Sequence, residues 1–325
     1  IAVNSEASSN VLSHAQKALD LVLERGTGEH GLLKFGGGDW NDGMDKIGIN
    51  GMGESVWLTW FFSSTAHSFA ALLRKLDKQE DAEKYESAAI SLGLSANAAW
   101  DGDHYLRGYF DNGTPLGASS SSCCQIDSVA QSFSALCPEA DASRVGTSLT
   151  SAVSRLHDVE NQLICLFDPP FEDFSPNPGY IESYGPGFRE NGGQYTHGAI
   201  WLIMALLRQD RSNEALELIS DLLPDNRDGK IYEAEPYVIA ADVSSCPDCA
   251  GRAGWSFYTG SAAWLFRVIT EDLLGLHLQD GKLKITPKLP SDWPSCEIRI
   301  KNHNASLRTV KITGDEITDT TTAPN

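Results

Sequence analysis

The chain has 325 residues, enough for one large domain or two of ordinary size. Hydrophobic residues make up 41% and charged residues 21%, the balance of a soluble globular protein with a sizeable core. The formal charge is −19, so the surface should repel nucleic acid phosphates and anionic lipids. The sequence contains no run of about 18 apolar residues, so we predict no membrane span.

Helical periodicity dominates up to about residue 275. Apolar residues recur at spacings of three and four, with charged residues on the opposite faces. Short turns and long loops rich in Gly, Pro and aromatic residues alternate between the helices, which is typical of a toroid of helical hairpins with its site at the loop-rich end. The predicted helices cover residues 12–22, 55–73, 78–94, 127–136, 142–156, 196–208, 212–223 and 261–273. The helix over 55–73 is apolar nearly all round, so we expect it to be buried.

After residue 275 the pattern changes to short strands. Apolar and polar residues alternate over 276–278, 282–285, 297–300 and 308–312, with turns at 280–281 and 314–315. We therefore predict a mainly α fold in which residues 1–274 form a helical part, which should carry the site at its loop-rich end, and residues 275–325 begin an antiparallel β domain. Residues 318–325 read as a polar, Thr-rich tail.

The ends and the cysteines give weaker indications. The first residues lack an initiator Met and the features of a signal peptide, so we expect a piece of a longer protein. The seven cysteines are odd in number and irregularly spaced, which argues against a complete disulfide framework. Cys246 and Cys249 match half a zinc knuckle, but no second pair follows, so we prefer a loop with incidental thiols and predict no metal site.

The segment 36–45 contains three glycines followed by Asp39, Trp40, Asn41 and Asp42. An aromatic ring between two carboxylates is typical of a sugar site, because the ring stacks on the pyranose while the acids bind hydroxyls or move protons. A carboxylic acid beside a ring also lies in a low dielectric, which keeps it protonated. An Asp-rich turn that caps a helix is the plainer alternative, and a calcium loop is a weaker one.

Three further clusters precede or open helices. Residues 189–197 place Arg, Glu, Asn, Gln, Tyr and His at the start of an apolar helix, where His197 and backbone amides could bind an anion. Residues 251–264 open the next helix with Thr259, and residues 233–237 combine two carboxylates with an aromatic ring. Capped helix starts and a solvated loop are the structural alternatives.

These clusters leave the attacking group open. Only the first contains a carboxylate that looks embedded enough to donate a proton, whereas glycosidases ordinarily need two. Glu190 and Glu233 are candidates for a second carboxylate. Alternatively, an anion site made of His and Thr could hold inorganic phosphate as the attacking group.

Taken in order, the clusters resemble glycoside hydrolase family 94. The resemblance covers residues 12–300 and rests on Gly38-Asp-Trp-Asn-Asp-Gly-Met44, Gly53-Glu-Ser-Val-Trp-Leu58, Gln125–Gln131, Asn177-Pro-Gly-Tyr180, Arg189–His197, Glu235-Pro-Tyr237 and Gly254–Trp264. The family comprises inverting phosphorylases of cellobiose, chitobiose and related β-glucosides, and the phosphorylase-like domain of cyclic β-1,2-glucan synthases. The Gly-Met ending of the first motif and the segment Arg189–His197 are most similar to this β-1,2-glucan branch.

The resemblance implies the C-terminal part of an (α/α)6 barrel followed by a small β domain, with inorganic phosphate as co-substrate and no cofactor. Asp42 occupies the position of the general acid. His197 and Thr259 occupy the phosphate positions, with Gly260 and Ser261 adjacent. The positions that contact sugar in the family are occupied by Asp39, Trp40, Arg189, Glu190, Gln194 and Tyr195. The resemblance also implies that an arginine on phosphate and half of the barrel fall outside this chain.

The implied reaction is a single displacement, in which phosphate attacks the anomeric carbon of a β-linked gluco-oligosaccharide while Asp42 protonates the leaving oxygen. A hydrolase that uses water and a non-catalytic glucan-binding piece of a larger synthase are the alternatives. The resemblance further implies a possible homodimer, no nucleic acid partner, and a cytoplasmic location, or a place in an inner-membrane protein if the chain belongs to a synthase.

Overall fold

The computed structural model describes residues 9–257, 259–301, 306–314 and 316–322. Helices make up most of the regular structure as far as Leu273, which confirms the predicted mainly α class. The α-helices of these described ranges are α1 (Val11–Arg25), α2 (Val56–Lys75), α3 (Gln79–Ala98), α4 (Ser128–Ser134), α5 (Ala142–Leu156), α6 (Thr196–Arg208), α7 (Ser212–Leu222), α8 (Gly229–Tyr232) and α9 (Thr259–Arg267).

The helices form two layers. Helices α2, α4, α6 and α9 contact one another in that order, and we call them the inner layer. Helices α3, α5 and α7 each pack against the inner helix that precedes them in the chain, and they form the outer layer. Helix α1 packs against α2 and α3 through Leu12 and Leu19. Short connections join each inner helix to its outer partner, and long loops lead to the next inner helix, as the sequence predicts.

Helix α6 lies at the centre of the packing. Its residues from Gly198 to Leu207 are all buried, because α4, α7 and α9 surround it. Burying one large aliphatic side chain contributes about 1.5–3 kcal/mol, so a helix of this composition is stable only inside such a bundle. The core therefore fixes the position of the helix that carries His197.

Paired two-residue strands lie in the long loops. β1 (Glu54–Ser55), β4 (Ile126–Asp127) and β8 (Gln194–Tyr195) lead directly into α2, α4 and α6. They pair with β2 (Gly108–Tyr109), β7 (Phe167–Asp168) and β9 (Asp242–Val243), respectively. The remaining short strands are β3 (Pro115–Leu116), which pairs with β2, and the pair β5 (His157–Asp158) and β6 (Leu163–Ile164). Each of these three inner helices therefore begins at a point fixed by backbone hydrogen bonds.

The C-terminal strands follow the predicted alternation. β10 (Leu276–Gln279) and β11 (Lys282–Ile285) form a hairpin whose turn residues Asp280 and Gly281 have φ values of 51° and 75°. Positive φ at both positions is the requirement of a type I′ turn. β12 (Ser295–Lys301), β13 (Leu307–Thr313) and β14 (Glu316–Thr322) form an antiparallel sheet. The division into domains at residues 274 and 275 stays a prediction.

Three details differ from the sequence predictions. Residues 318–322 belong to β14 and are not a tail, because Thr favours strands and this segment pairs with β13. The predicted helix over 261–273 starts at Thr259 and changes to a π-helical turn over Val268–Leu273. Helix α2 is not buried all round, since Phe61 is 42% and Leu72 46% exposed. Phe61 borders an open cavity of 630 Å³ along the inner layer.

Candidate active site

The first half of the site is a loop held by a buried arginine. Arg107 is fully buried, and its Nη1 lies 2.7 Å from Asp39 Oδ2 while its Nη2 donates to Asp39 Oδ1 at 2.7 Å. The Ser55 hydroxyl donates to the same carboxylate at 2.7 Å. On the other side of the guanidinium, Arg107 Nε lies 3.3 Å from Asp127 Oδ2. Burial raises the pKa of Asp127 to about 6, although the charge of Arg107 opposes that shift.

This arrangement is at odds with the predicted contact between Asp39 and sugar. The side chain of Asp39 has no exposed area, and its two oxygens accept hydrogen bonds from Arg107, Ser55 and the backbone N–H of Asn41. Asp39 therefore ties the loop to the ends of β1 and β2. A double ionic hydrogen bond of this kind is both strong and directional, so it fixes the residues that follow.

Trp40 brings the loop against α6. Its ring lies 5.5 Å from the ring of His197, 4.9 Å from that of Trp201 and 5.6 Å from that of Tyr195. Trp40 and His197 both line the 630 Å³ cavity, together with Trp264 of α9. The structure thus brings together three predicted site residues, Trp40, Tyr195 and His197, from two distant segments.

His197 is held in an apolar environment next to the start of α9. Burial lowers its pKa to about 4, so the imidazole is neutral at neutral pH. A Cβ placed on Gly260 would lie 3.7 Å from His197 Nδ1, so the first turn of α9 lies beside the ring. Thr259 begins this helix, but its side chain lies outside the described part of the structure.

Three polar atoms where α6 meets α9 are buried with no hydrogen-bond partner among the described residues. They are His197 Nε2, Trp201 Nε1 and Ser261 Oγ. Buried polar groups are nearly always satisfied in folded proteins, so these unsatisfied atoms call for an explanation. A helix start also presents free N–H groups and the positive end of the helix dipole, both of which favour an anion.

Asp42 lies on the rim and not in the interior. Its residue is exposed, so the expected burial beside Trp40 is wrong, because the Trp40 ring packs against other rings. Tyr180 lies next to Asp42, since the N–H of Ile181 donates to the carbonyl of Gly43 at 2.8 Å. Burial and the neighbouring Asp42 carboxylate raise the pKa of Tyr180 to about 12, so its hydroxyl keeps its proton. Gly38 has a φ of 124° and approaches Asp42 so closely that a Cβ would lie 3.2 Å from Asp42 Cα.

The second cluster divides into two groups. Arg189 Nε lies 3.2 Å from Glu190 Oε2, and the guanidinium stands 5.1 Å from the Tyr184 ring. Gln194 and Tyr195 are adjacent on β8 and point to opposite sides, as strand geometry requires. Tyr195 faces Trp40. Gln194 is only 2% exposed and accepts a hydrogen bond from the backbone of Ile164, which is at odds with the predicted sugar contact.

Sequence reasoning missed several residues that shape the site. Arg107 stands in an otherwise apolar and aromatic stretch, and a lone charge there was the available signal. Asp242 is buried on β9 opposite Tyr195, and burial raises its pKa. Glu233, considered as a second carboxylate, is 52% exposed and pairs with Arg252 at 3.0 Å. Tyr180 belongs to a quoted motif but was not among the predicted site residues.

A family model with the description "Glycosyl hydrolase 94 superfamily, catalytic domain" matches residues 1–275. The chain belongs to this family. Among glycosyl hydrolase 94 relatives, it is 42% identical over 314 residues to the cyclic β-(1,2)-glucan synthase NdvB of Rhizobium meliloti, covering 94% of this chain and 11% of the synthase. It is 30% identical to the solabiose phosphorylase of Paenibacillus borealis, covering 89% and 40%, and 29% identical to the cellobionic acid phosphorylase of Neurospora crassa, covering 87% and 36%.

The chain therefore spans less than half the length of these glycosyl hydrolase 94 relatives. Two solved structures share its fold at low identity. A sialidase superposes with a TM-score of 0.68 at 11% identity over 95% of this chain and 29% of that one. The family GH78 rhamnosidase of Bacillus sp. GL1 gives a TM-score of 0.59 at 16% identity, over 96% and 29%.

The described residues meet neither the requirements of a membrane-spanning helix nor those of a metal site. Within the described ranges, no helix combines the length and the apolar character needed to cross a membrane. In the same part of the chain, no three His, Cys, Asp or Glu residues form a group suited to a metal ion. Cys246 and Cys249 flank a tight turn, and Cys249 Sγ lies 3.3 Å from Ser244 Oγ.

Proposed function

We propose that this chain provides the catalytic residues for inverting phosphorolysis of β-glucosidic bonds in gluco-oligosaccharides. A phosphate oxygen attacks the anomeric carbon, the bond to the glycosidic oxygen breaks, and the proton of Asp42 goes to the leaving oxygen. The products are α-glucose 1-phosphate and a shortened oligosaccharide. Family membership and the phosphorylases among the relatives support the reaction class.

The observation that carries the proposal is two buried polar atoms without a partner where α6 and α9 meet. Ser261 Oγ on α9 and His197 Nε2 on α6 have no partner among the described atoms, and the first turn of α9 lies beside the His197 ring. A neutral imidazole can still donate one hydrogen bond from Nε2 to a phosphate oxygen. The free N–H groups of the helix start, with the Thr259 backbone first among them, add further donors. This local arrangement favours an anion on a protein whose net charge is −19.

The sugar would lie between this anion site and Asp42. Trp40 offers an aromatic ring beside His197, and Tyr195 stands against the edge of that ring. Arg189 and Glu190 form a charged pair that can bind hydroxyls on the leaving side. Trp40 and Asp42 belong to one loop, so the Arg107–Asp39 ion pair positions both.

We also propose the larger context of the chain. Its two helical layers support a place in an (α/α)6 barrel. Its likeness to the solabiose and cellobionic acid phosphorylases supports a free phosphorylase, and its likeness to NdvB supports a domain of a longer synthase. In that second case, the reverse reaction would extend a β-glucan. The partners would then be a β-linked gluco-oligosaccharide and inorganic phosphate.

The test uses the full-length natural protein with β-1,2-, β-1,3- and β-1,4-linked gluco-oligosaccharides, with and without phosphate. We expect glucose 1-phosphate only when phosphate is present. Asp42→Asn should lower the rate at least about 100-fold, the usual contribution of a general acid, with little change in stability because the residue is exposed. Asp292→Asn, at an exposed and remote site, is the matched control.

Two outcomes would contradict the proposal. Release of reducing sugar without phosphate would indicate a hydrolase. Oligosaccharide binding with equal and undetectable turnover in the natural protein and in Asp42→Asn would indicate a non-catalytic binding domain.

A further inference from the structure

A row of rings and one guanidinium leads away from Asp42 along the rim of the site. Tyr180 lies beside Asp42, because the N–H of Ile181 donates to the carbonyl of Gly43 at 2.8 Å, and its ring lies 6.2 Å from the ring of Tyr184. The Arg189 guanidinium stands 5.1 Å from the Tyr184 ring and 5.6 Å from the Trp255 ring. We call Tyr180, Tyr184, Arg189 and Trp255 the aromatic row. It joins three separate loop segments into one continuous surface.

The outer end of the row is exposed although its backbone is held firmly. Trp255 is 57% exposed, and Tyr180 is 42% exposed. The carbonyl of Trp255 accepts a hydrogen bond from the Ala241 N–H at 2.7 Å, and its own N–H donates to Asp242 Oδ1 at 3.4 Å. A single exposed ring is ordinary on a protein surface, whereas exposed rings that adjoin one another, as in this row, indicate a binding surface.

The chemistry of the row suits a glucan chain. Aromatic faces stack on the C–H faces of pyranose rings, while an arginine donates several hydrogen bonds to hydroxyls. Arg189 is paired with Glu190 at 3.2 Å, so a donor and an acceptor lie side by side. Neither group bears an unpaired charge that would select for an ionic ligand.

The position of the row decides which part of the substrate it meets. In the proposed reaction, phosphate approaches from the side of His197, and Asp42 protonates the oxygen that joins the cleaved glucose to the leaving chain. The row begins at Tyr180, which the hydrogen bond between Ile181 and Gly43 holds beside Asp42, so we place it on the leaving side.

We propose that the aromatic row binds the leaving gluco-oligosaccharide beyond its first sugar residue, with Trp255 as the residue that favours long chains over disaccharides. The inference rests on the proposed function and adds its preferred substrate class. Disaccharides reach only the residues around Asp42, whereas longer chains extend to Trp255.

The test compares Trp255→Ala and Trp255→Phe with the natural sequence in the full-length protein. The substrates are the di- to pentasaccharides of whichever linkage series the natural protein cleaves fastest, and the readout is kcat/KM at saturating phosphate. An aromatic contact contributes about 0.5–1.5 kcal/mol beyond burial, so Trp255→Ala should lower kcat/KM for the tetrasaccharide up to about tenfold. The value for the disaccharide should stay within about twofold, and Trp255→Phe should retain most of the activity. Trp293→Ala, at another partly exposed tryptophan, is the matched control.

A purely structural role for Trp255 would lower kcat/KM equally for all chain lengths, and that result would overturn the inference, as would no effect at any length. Calorimetric binding of the tetrasaccharide separates this failure from that of the proposed function. The natural protein could show no phosphorolysis while Trp255→Ala weakens tetrasaccharide binding more than disaccharide binding. That result would support glucan binding by the aromatic row and would refute phosphorolysis.

Discussion

Replacing Arg107 with methionine should destabilise the protein more than any other single change at the site. The side chain is fully buried between Asp39 and Asp127, whose own side chains are 0% and 1% exposed. Methionine fills similar space without charge, so the variant leaves two carboxylates buried and without their cation. One of them, Asp127, already has its pKa raised to about 6 by burial in the presence of Arg107.

The magnitude follows from the loss of one partner in a buried ion pair. Such a loss costs about 3–5 kcal/mol, because the remaining charge keeps its desolvation penalty. With an unfolding entropy of about 2.1 cal/mol/K per residue, this corresponds to a fall in Tm of about 4–7 °C for a chain of this length. An exposed pair such as Arg299 with Glu297 contributes about 0–1 kcal/mol, so Arg299→Met is the matched control.

The assay is urea denaturation at pH 8 and pH 5. Without Arg107, the largest cause that lowers the pKa of Asp127 is gone, so its folded-state pKa rises further above the unfolded value. A group with a raised folded-state pKa destabilises the fold above that pKa and stops doing so as it takes up a proton. The loss in Arg107→Met should therefore be larger at pH 8 than at pH 5. A loss below about 1 kcal/mol, or an equal loss at both pH values, would refute this account of the buried ion pair.

Two further predictions concern His197 and Gln194. In the folded protein, burial lowers the pKa of His197 to about 4, against 6.5 when unfolded, so the unfolded state binds more protons between these values and stability falls as pH falls. His197→Asn should remove about 1–2 kcal/mol of this pH dependence between pH 6.5 and 4, after allowance for partial exposure; an unchanged slope in urea denaturation would contradict it. Gln194→Ala should cost about 1–3 kcal/mol of stability through the lost bond to the Ile164 backbone, whereas a sugar ligand would raise KM and leave the denaturation curve unchanged.

Local patterns in the sequence predicted most of the helical framework. Helices α5 and α6 have the predicted bounds, since their apolar residues recur at helical spacing and their ends carry capping or charged residues. Strand β14 was missed because Thr at consecutive positions shows no alternation, although Thr favours strands. The exposure of Asp42 also escaped prediction, because burial depends on neighbours that are far apart in the chain.

The candidate site could be predicted only in part, because many of its contacts join residues that are far apart in the chain. Motif order brought Trp40, Tyr195 and His197 into one hypothesis, and their rings are in contact. The ion pair of Asp39 with Arg107 joins residues 68 positions apart, and no local pattern marks it. Gln194 and Tyr195 are neighbours in the motif but face opposite sides of β8, so sequence adjacency assigned both to the sugar.

The two-residue ladders at the starts of α2, α4 and α6 have a consequence for how such a protein can diversify. Each ladder pairs the residues before an inner helix with residues that follow its outer partner, so it ties together the two ends of a helical hairpin, and much of each long loop lies outside it. The residues of the long loops can therefore change while the helices keep their positions. The relatives are named for three different substrates, solabiose, cellobionic acid and diacetylchitobiose. This is consistent with a helical scaffold that stays the same while the loops around the site change.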